Sequence, residues 1–115
     1  MPTFVLNTNL PAEKIPKSFL TDTSKLIAKE LGKPETYVCV RVNPGQMMTF
    51  GGTDDPCGTV ELESIGAVGG AKNKQLVPVI GSHVQEALGI PQDRFYIKIT
   101  DLARTDIGFN GKTFG

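Results

Sequence analysis

The sequence is short of the side chains from which metal centres and nucleophilic relays are built: its 115 residues include one histidine, His83, and two cysteines, Cys39 and Cys57. A Ser–His–Asp relay or a histidine-rich metal site needs partners that this chain does not supply. His83 lies in a helical segment, where a lone histidine reads as packing or surface, and it is given no role. The cysteines lack a CxxC spacing, which leaves a thiol redox pair or a cysteine zinc site without support. Both read as reduced thiols, and Cys39, set between Val38 and Val40, reads as a small buried hydrophobe. Net charge is missing too. Twelve basic residues cancel twelve acidic ones, so no long-range field draws the chain to nucleic acid or to an anionic membrane surface. No apolar run approaches the roughly 20 residues of a membrane helix, so membrane insertion is not expected. The opening MPTFVLNTNL lacks the charged and apolar regions of a signal peptide, which makes the cytosol the default expectation.

What the chain does have is enough apolar material, 39% of its residues, for one core. Halves would be too small to bury adequate cores of their own, so residues 1–115 read as a single domain. Within it lies a repeat. Leu31–Val42, LGKPETYVCVRV, aligns without gaps on Leu88–Ile99, LGIPQDRFYIKI. In each copy a helical stretch ends at Leu-Gly, the glycine suits a left-handed cap, and the proline two residues later prevents continuation. A strand follows. Val38, Val40 and Val42 alternate with Tyr37, Cys39 and Arg41, and Phe95, Ile97 and Ile99 alternate with Tyr96 and Lys98.

Before the first copy, Pro2–Asn7 is rich in strand formers, and Phe19, Thr23, Leu26, Ile27 and Leu31 follow helical spacing. Before the second, Thr59–Ile65 alternates as a strand, and a helix is expected from about Leu76 to Leu88, with Pro78 in its first turn. The chain is thus expected to be α+β, with pseudo-repeats over about 2–50 and 58–105. Two βαβ units with right-handed crossovers combine into one four-stranded sheet carrying both helices on one face. The other face is expected to need cover, and oligomerisation is one way to provide it.

Six blocks in order carry a family resemblance: MPTFVLNTNLP, LGKP at Leu31–Pro34, MTFGGTDDPC at Met48–Cys57, ESIGAVGG at Glu63–Gly70, DRFYI at Asp93–Ile97, and the closing GFNGKTFG. Along nearly its whole length the chain resembles the macrophage migration inhibitory factor and D-dopachrome tautomerase family. The resemblance implies a tautomerase-type fold and a homotrimeric barrel with a pocket at each subunit interface. It also implies keto–enol tautomerisation of phenylpyruvate-like and dopachrome-like substrates, without a cofactor. Removal of Met1 would leave Pro2 as a terminal secondary amine acting as base and acid. Lys33 would hold the carboxylate of a small aromatic keto acid, and the Ile65 backbone N–H would add a donor. Tyr96 from a neighbouring subunit would line the pocket, together with Tyr37, Ile107, Phe109 and Phe114.

The same resemblance implies extracellular signalling through a cell-surface receptor by a protein that leaves cells without a signal peptide. The alternatives are a secreted ligand with a vestigial pocket and a scaffold that binds small molecules without turnover. Four departures bear on these readings. Lys98 stands where asparagine is common and would bring a second cation to the pocket mouth; Phe109 stands where tryptophan is common. The chemokine-like Arg and Asp pair falls at Ala12 and Gly45, which weakens carry-over of chemokine-receptor binding. Val60 replaces the second cysteine of the CxxC found in the vertebrate factor, so a mixed disulfide at Cys57 has no resolving thiol. An insulin-reduction assay is therefore expected to show no dithiol turnover, and Cys57→Ser is expected to leave tautomerase activity intact.

Overall fold

The computed structural model describes residues 1–115, and the alternation of apolar and polar side chains accounts for its centre. In β1 (Pro2–Thr8) the buried residues are Pro2, Phe4, Leu6 and Thr8; in β3 (Gly58–Ser64) they are Gly58, Val60, Leu62 and Ser64. A period of two puts each set on one face of its strand. The two strands pair antiparallel from Pro2↔Ser64 to Thr8↔Gly58, so both buried rows share a sheet face. β2 (Cys39–Asn43) joins β1 in parallel, and β4 (Phe95–Asp101) joins β3 in parallel, giving the order β2-β1-β3-β4. The two βαβ units expected from the repeat therefore form one four-stranded sheet, and the structure joins them along their first strands.

Both helices cover that face. α1 (Ser18–Leu31) buries Phe19, Thr23, Ile27 and Leu31, one residue every four, and α2 (Gly70–Leu88) buries Leu76, Ile80, Gly81 and Val84. The apolar ones, Phe19, Ile27, Leu31, Leu76, Ile80 and Val84, form one cluster with Phe4, Leu6, Val60 and Leu62, and each fully buried large apolar side chain contributes about 1.5–3 kcal/mol. No helix is long and apolar enough to cross a membrane. A left-handed Gly32, with φ of 62°, ends α1: its N–H donates to the Lys29 carbonyl and the Lys33 N–H donates to the Ala28 carbonyl. This paired closure turns the chain sharply at Lys33.

α2 starts at Gly70, six residues before the expected Leu76. Gly70–Gln75 has almost no apolar residue from which to read a period. Its start is instead marked by Asn73, whose Oδ1 accepts the Gly69 N–H at 2.7 Å. Pro78 consequently sits inside the helix rather than in its first turn. It is exposed, so the backbone bond it cannot donate is missing on the watered side, while Leu76, Ile80 and Val84 hold the apolar stripe on either side of it.

Three further expectations change. Tyr37 belongs to a short 3-10 turn, Glu35–Tyr37, and the strand starts two residues later at Cys39. Cys39 is exposed: strand alternation puts it on the face of Arg41, away from the helices, and the buried thiol is Cys57. The helix-free sheet face is polar rather than an apolar surface needing cover. Across it Asn43 Nδ2 donates to Asn7 Oδ1 at 2.8 Å, Asn7 Nδ2 to Thr59 Oγ1 at 3.2 Å, and Thr3 Oγ1 to Glu63 Oε1 at 3.3 Å. Beyond β2, the loop 46–57 is clamped by Arg94, whose guanidinium donates to the carbonyls of Phe50, Thr53, Asp55 and Pro56 at 3.0–3.3 Å.

His83 joins the helices. Its Nε2 lies 2.8 Å from the buried Thr23 hydroxyl, and its ring stacks on Phe19 at 5.2 Å between centroids. Burial pushes its pKa below the ordinary histidine value, while Asp22 and Glu86 oppose the shift. With the folded pKa the lower of the two, the unfolded chain binds more protons as pH falls through about 6.5, and stability falls with it. Thermal unfolding between pH 7 and pH 5 is expected to show Tm falling less steeply in His83→Gln than in the unaltered chain. Equal slopes would show that His83 titrates alike in both states.

Candidate active site

Strand direction gathers the candidate site at one end of the sheet. β1 and β2 begin there, at Pro2 and Cys39, while β3 and β4 end there, at Ser64 and Asp101. Proline suits the first position of a central strand, because it has no N–H to contribute to the ladder. The tight closure of α1 delivers Lys33 to the same end, where its ammonium donates to the Ile65 carbonyl at 3.0 Å. The Ile65 group engaged in this structure is therefore the carbonyl, and its partner is the lysine.

The terminal amine of Met1 lies in this neighbourhood. Burial, and secondarily the Lys33 charge, hold its pKa below the ordinary value for a chain terminus. Both causes disfavour an ammonium: one removes water, the other adds a like charge. With Met1 attached, the Pro2 nitrogen is an amide and has no basicity.

Beside the amine opens a cleft of about 300 Å³ lined by Met1, Thr3, Thr36–Cys39, Ile107–Phe109 and Phe114. Its aromatic wall is built by the C-terminus. β5 (Gly108–Phe109) and β6 (Lys112–Thr113) form a hairpin whose central residues, Asn110 and Gly111, have φ of 53° and 80°. Such a turn favours Asn-Gly, so the FNGK string carried a hairpin signal that the sequence analysis did not use. The Phe114 N–H donates to the carbonyls of Arg104 and Ile107, each at 3.2 Å, which ties the tail down. Tyr37 meets Phe109 edge-on, with centroids 5.5 Å apart, and Phe114 at 6.3 Å. A wider depression of about 600 Å³ at Asn9, Gln46–Thr49 and Asp54 contains no comparable amine.

The cleft itself brings together Tyr37, Ile107, Phe109 and Phe114 beside Met1, while Pro2, Lys33 and Ile65 lie at the same end of the sheet without lining it. Thr3, Thr36, Val38 and Cys39 also line the cleft. Cys39 was missed because its apolar neighbours suggested burial, although alternation with Val38 and Val40 already set it on the other face. Tyr96 and Lys98 are elsewhere. Tyr96 pairs with Thr59 and packs on Phe50, with centroids 5.0 Å apart, while Lys98 lies 3.8 Å from Glu61. Tyr96 precedes Asp101 by five positions of β4, about 17 Å at the rise of a strand, so it does not reach the cleft of its own chain. No three His, Cys, Asp or Glu side chains converge into a potential metal cluster.

The family model for macrophage migration inhibitory factor matches residues 1–115. A macrophage migration inhibitory factor homolog of Trichuris trichiura is 51% identical over 99% of this chain and 100% of its own length. The macrophage migration inhibitory factor of Mus musculus is 41% identical over 99% of both chains. The solved structure of the Trichinella spiralis factor superposes with a TM-score of 0.96 at 39% identity, covering 97% of this chain and 99% of that one. A duplicated βαβ sheet with a proline at the head of its central strand, matched end to end in sequence and in backbone, shows that the chain belongs to the macrophage migration inhibitory factor family.

Proposed function

We propose that this chain is a keto–enol tautomerase for phenylpyruvate-like and dopachrome-like substrates, with Pro2 as its base and acid after Met1 is excised. The observation that carries the reading is a chain-terminal amine whose pKa is lowered by burial and by the Lys33 charge, at the mouth of an aromatic cleft. Excision would transfer the terminal amine one residue deeper, onto a secondary nitrogen in the same surroundings. The unprotonated nitrogen takes a proton from the carbon next to the substrate carbonyl, and the resulting enolate regains it on oxygen. Base and acid are then one group, and no electron leaves or enters. Lys33 holds the substrate carboxylate, the Ile65 N–H adds a donor, and Tyr37, Ile107, Phe109 and Phe114 enclose the ring.

The working unit in this reading is a homotrimer. Both sheet edges, β2 and β4, are unpaired within the chain, and open edges invite pairing with another copy. Tyr96 is 71% exposed and remote from its own cleft, so a second copy would supply it, with Lys98, to the pocket at the interface. Sedimentation at micromolar concentration is expected to give a species of three chains; a stable monomer would remove the shared pocket.

The relatives' shared name describes an effect on macrophage migration, which favours a second reading as a secreted ligand recognised by a cell-surface receptor. The two readings separate by substitution, because a ligand needs its surface and an enzyme needs its amine. In the Met1-processed protein, Pro2→Gly is expected to lower phenylpyruvate tautomerisation about a hundredfold to ten-thousandfold, with the trimer and receptor binding preserved. Lys33→Ala is expected to act chiefly on KM. It also removes a cation from beside the amine, so the amine pKa rises and the acidic limb of kcat/KM moves to higher pH. Full activity in Pro2→Gly, with the N-terminus verified by mass spectrometry, would defeat the mechanism and leave the ligand reading ahead.

A further inference from the structure

The end of the sheet that carries Pro2 also carries a carboxylate with no part in the reaction above. Asp101 is the last residue of β4, and its Oδ1 accepts the Gly66 N–H at 2.9 Å. That N–H belongs to the Ile65–Gly66 peptide, the same unit whose carbonyl accepts the Lys33 ammonium at 3.0 Å. A trans peptide is planar and points its C=O and N–H in opposite directions. One rigid amide therefore spans from carboxylate to ammonium, and each charged end polarises the bond at the other.

The amide sits in a segment without regular structure, residues 65–69, so its direction depends on such ties. Two others hold its start. The Ser64 hydroxyl donates to the Gly66 carbonyl at 2.8 Å, and the Leu102 N–H donates to the Ser64 carbonyl at 2.8 Å. Ala67 follows with φ of 62°, a left-handed conformation that a residue with a Cβ keeps only where its surroundings impose it. Neither of those ties touches the 65–66 peptide from the N–H side. Asp101 alone does so.

We infer that Asp101 is a positioning residue for the proposed tautomerase: by accepting the Gly66 N–H it aims the Ile65 carbonyl, which in turn holds the Lys33 ammonium where substrate and amine meet it. The inference rests on the assignment of Lys33 and Pro2 made above. Without the acceptor, the 65–66 peptide is free to rotate and Lys33 loses its fixed seat. Substrate binding then weakens, and the amine is relieved of a neighbouring cation. Asparagine keeps an acceptor oxygen at nearly the same place, so it restores most of what alanine loses.

The test compares the Met1-processed protein with Asp101→Ala, Asp101→Asn and Pro2→Gly, by phenylpyruvate kinetics against pH and by NMR titration of the terminal amine. Asp101→Ala is expected to raise KM about tenfold, to leave kcat within about threefold, and to move both the acidic limb and the amine titration to higher pH. Asp101→Asn is expected to stay within about threefold of the unaltered protein in KM. An unchanged KM and amine titration in Asp101→Ala would overturn the role. So would a joint fall in kcat and Tm without movement of the acidic limb, which is what mere support of the loop produces. Should Asp101→Ala fail to fold, Asp101→Ser, whose hydroxyl is too short to reach Gly66, is read by the same criteria. An amine that titrates higher in Asp101→Ala while the unaltered protein shows no turnover would sink the tautomerase reading and keep the positioning role.

Discussion

The antiparallel pairing of β1 with β3 is the constraint on which the molecule depends. Each of these strands belongs to its own βαβ unit, and only their shared ladder, from Pro2↔Ser64 to Thr8↔Gly58, makes two half-sheets into one. The register is well specified because a slip of one residue would turn Phe4, Leu6, Val60 and Leu62 out of the core and bring the open face's polar residues in. The same register sets Pro2 beside the end of β3, which puts Ile65 within reach of Lys33. Packing of the core and assembly of the candidate site are thus consequences of one alignment.

Electrostatics at that end of the sheet run against ordinary stability. Lys33 stands near a second nitrogen that would carry a like charge if protonated, and partial burial costs that nitrogen some of its hydration. The Ile65 carbonyl accepts the lysine's donor, and the lowered pKa of the amine eases the repulsion by disfavouring its ammonium form. Perturbed titration next to an apolar cleft is a mark of functional sites, and here its causes are burial first and the Lys33 charge second. The helix-free face offers a contrast. Its asparagine, threonine and glutamate side chains are satisfied by one another across the strands, so nothing there demands an apolar lid, and any second copy has to be held by edges and exposed aromatic rings.

Much of the fold was legible in the residues. The LGKP and LGIP turns, the strand alternation and the apolar stripe of α1 each follow from a local period that burial then uses. Legibility failed where a local rule competed with something distant. Pro78 argued for a helix start, yet the packing of Leu76, Ile80 and Val84 carries α2 through it. Cys39 argued for burial by its composition, yet its parity in the strand put it with Arg41 and into the cleft. The C-terminal hairpin was signalled by Asn110-Gly111, but its purpose, holding Phe109 and Phe114 against Tyr37, has no local signature.

The sequence by itself determined the units: two helix–turn–strand repeats, a proline at the start of a strand, a lysine after a helix cap, and six ordered blocks that point to the family. Tertiary structure decided which of these groups touch. Lys33 and Ile65 are separated by 32 positions, and the tie from Asp101 to Gly66 spans 35, so no local period links either pair. Tyr96 and Lys98, which share a strand with Asp101, were removed from their own chain's cleft by nothing more than the direction and rise of β4. Residue type and spacing govern what a segment becomes, because helices and strands form from neighbours. A site is made by strand register and chain reversal, which join residues whose proximity the linear order does not contain.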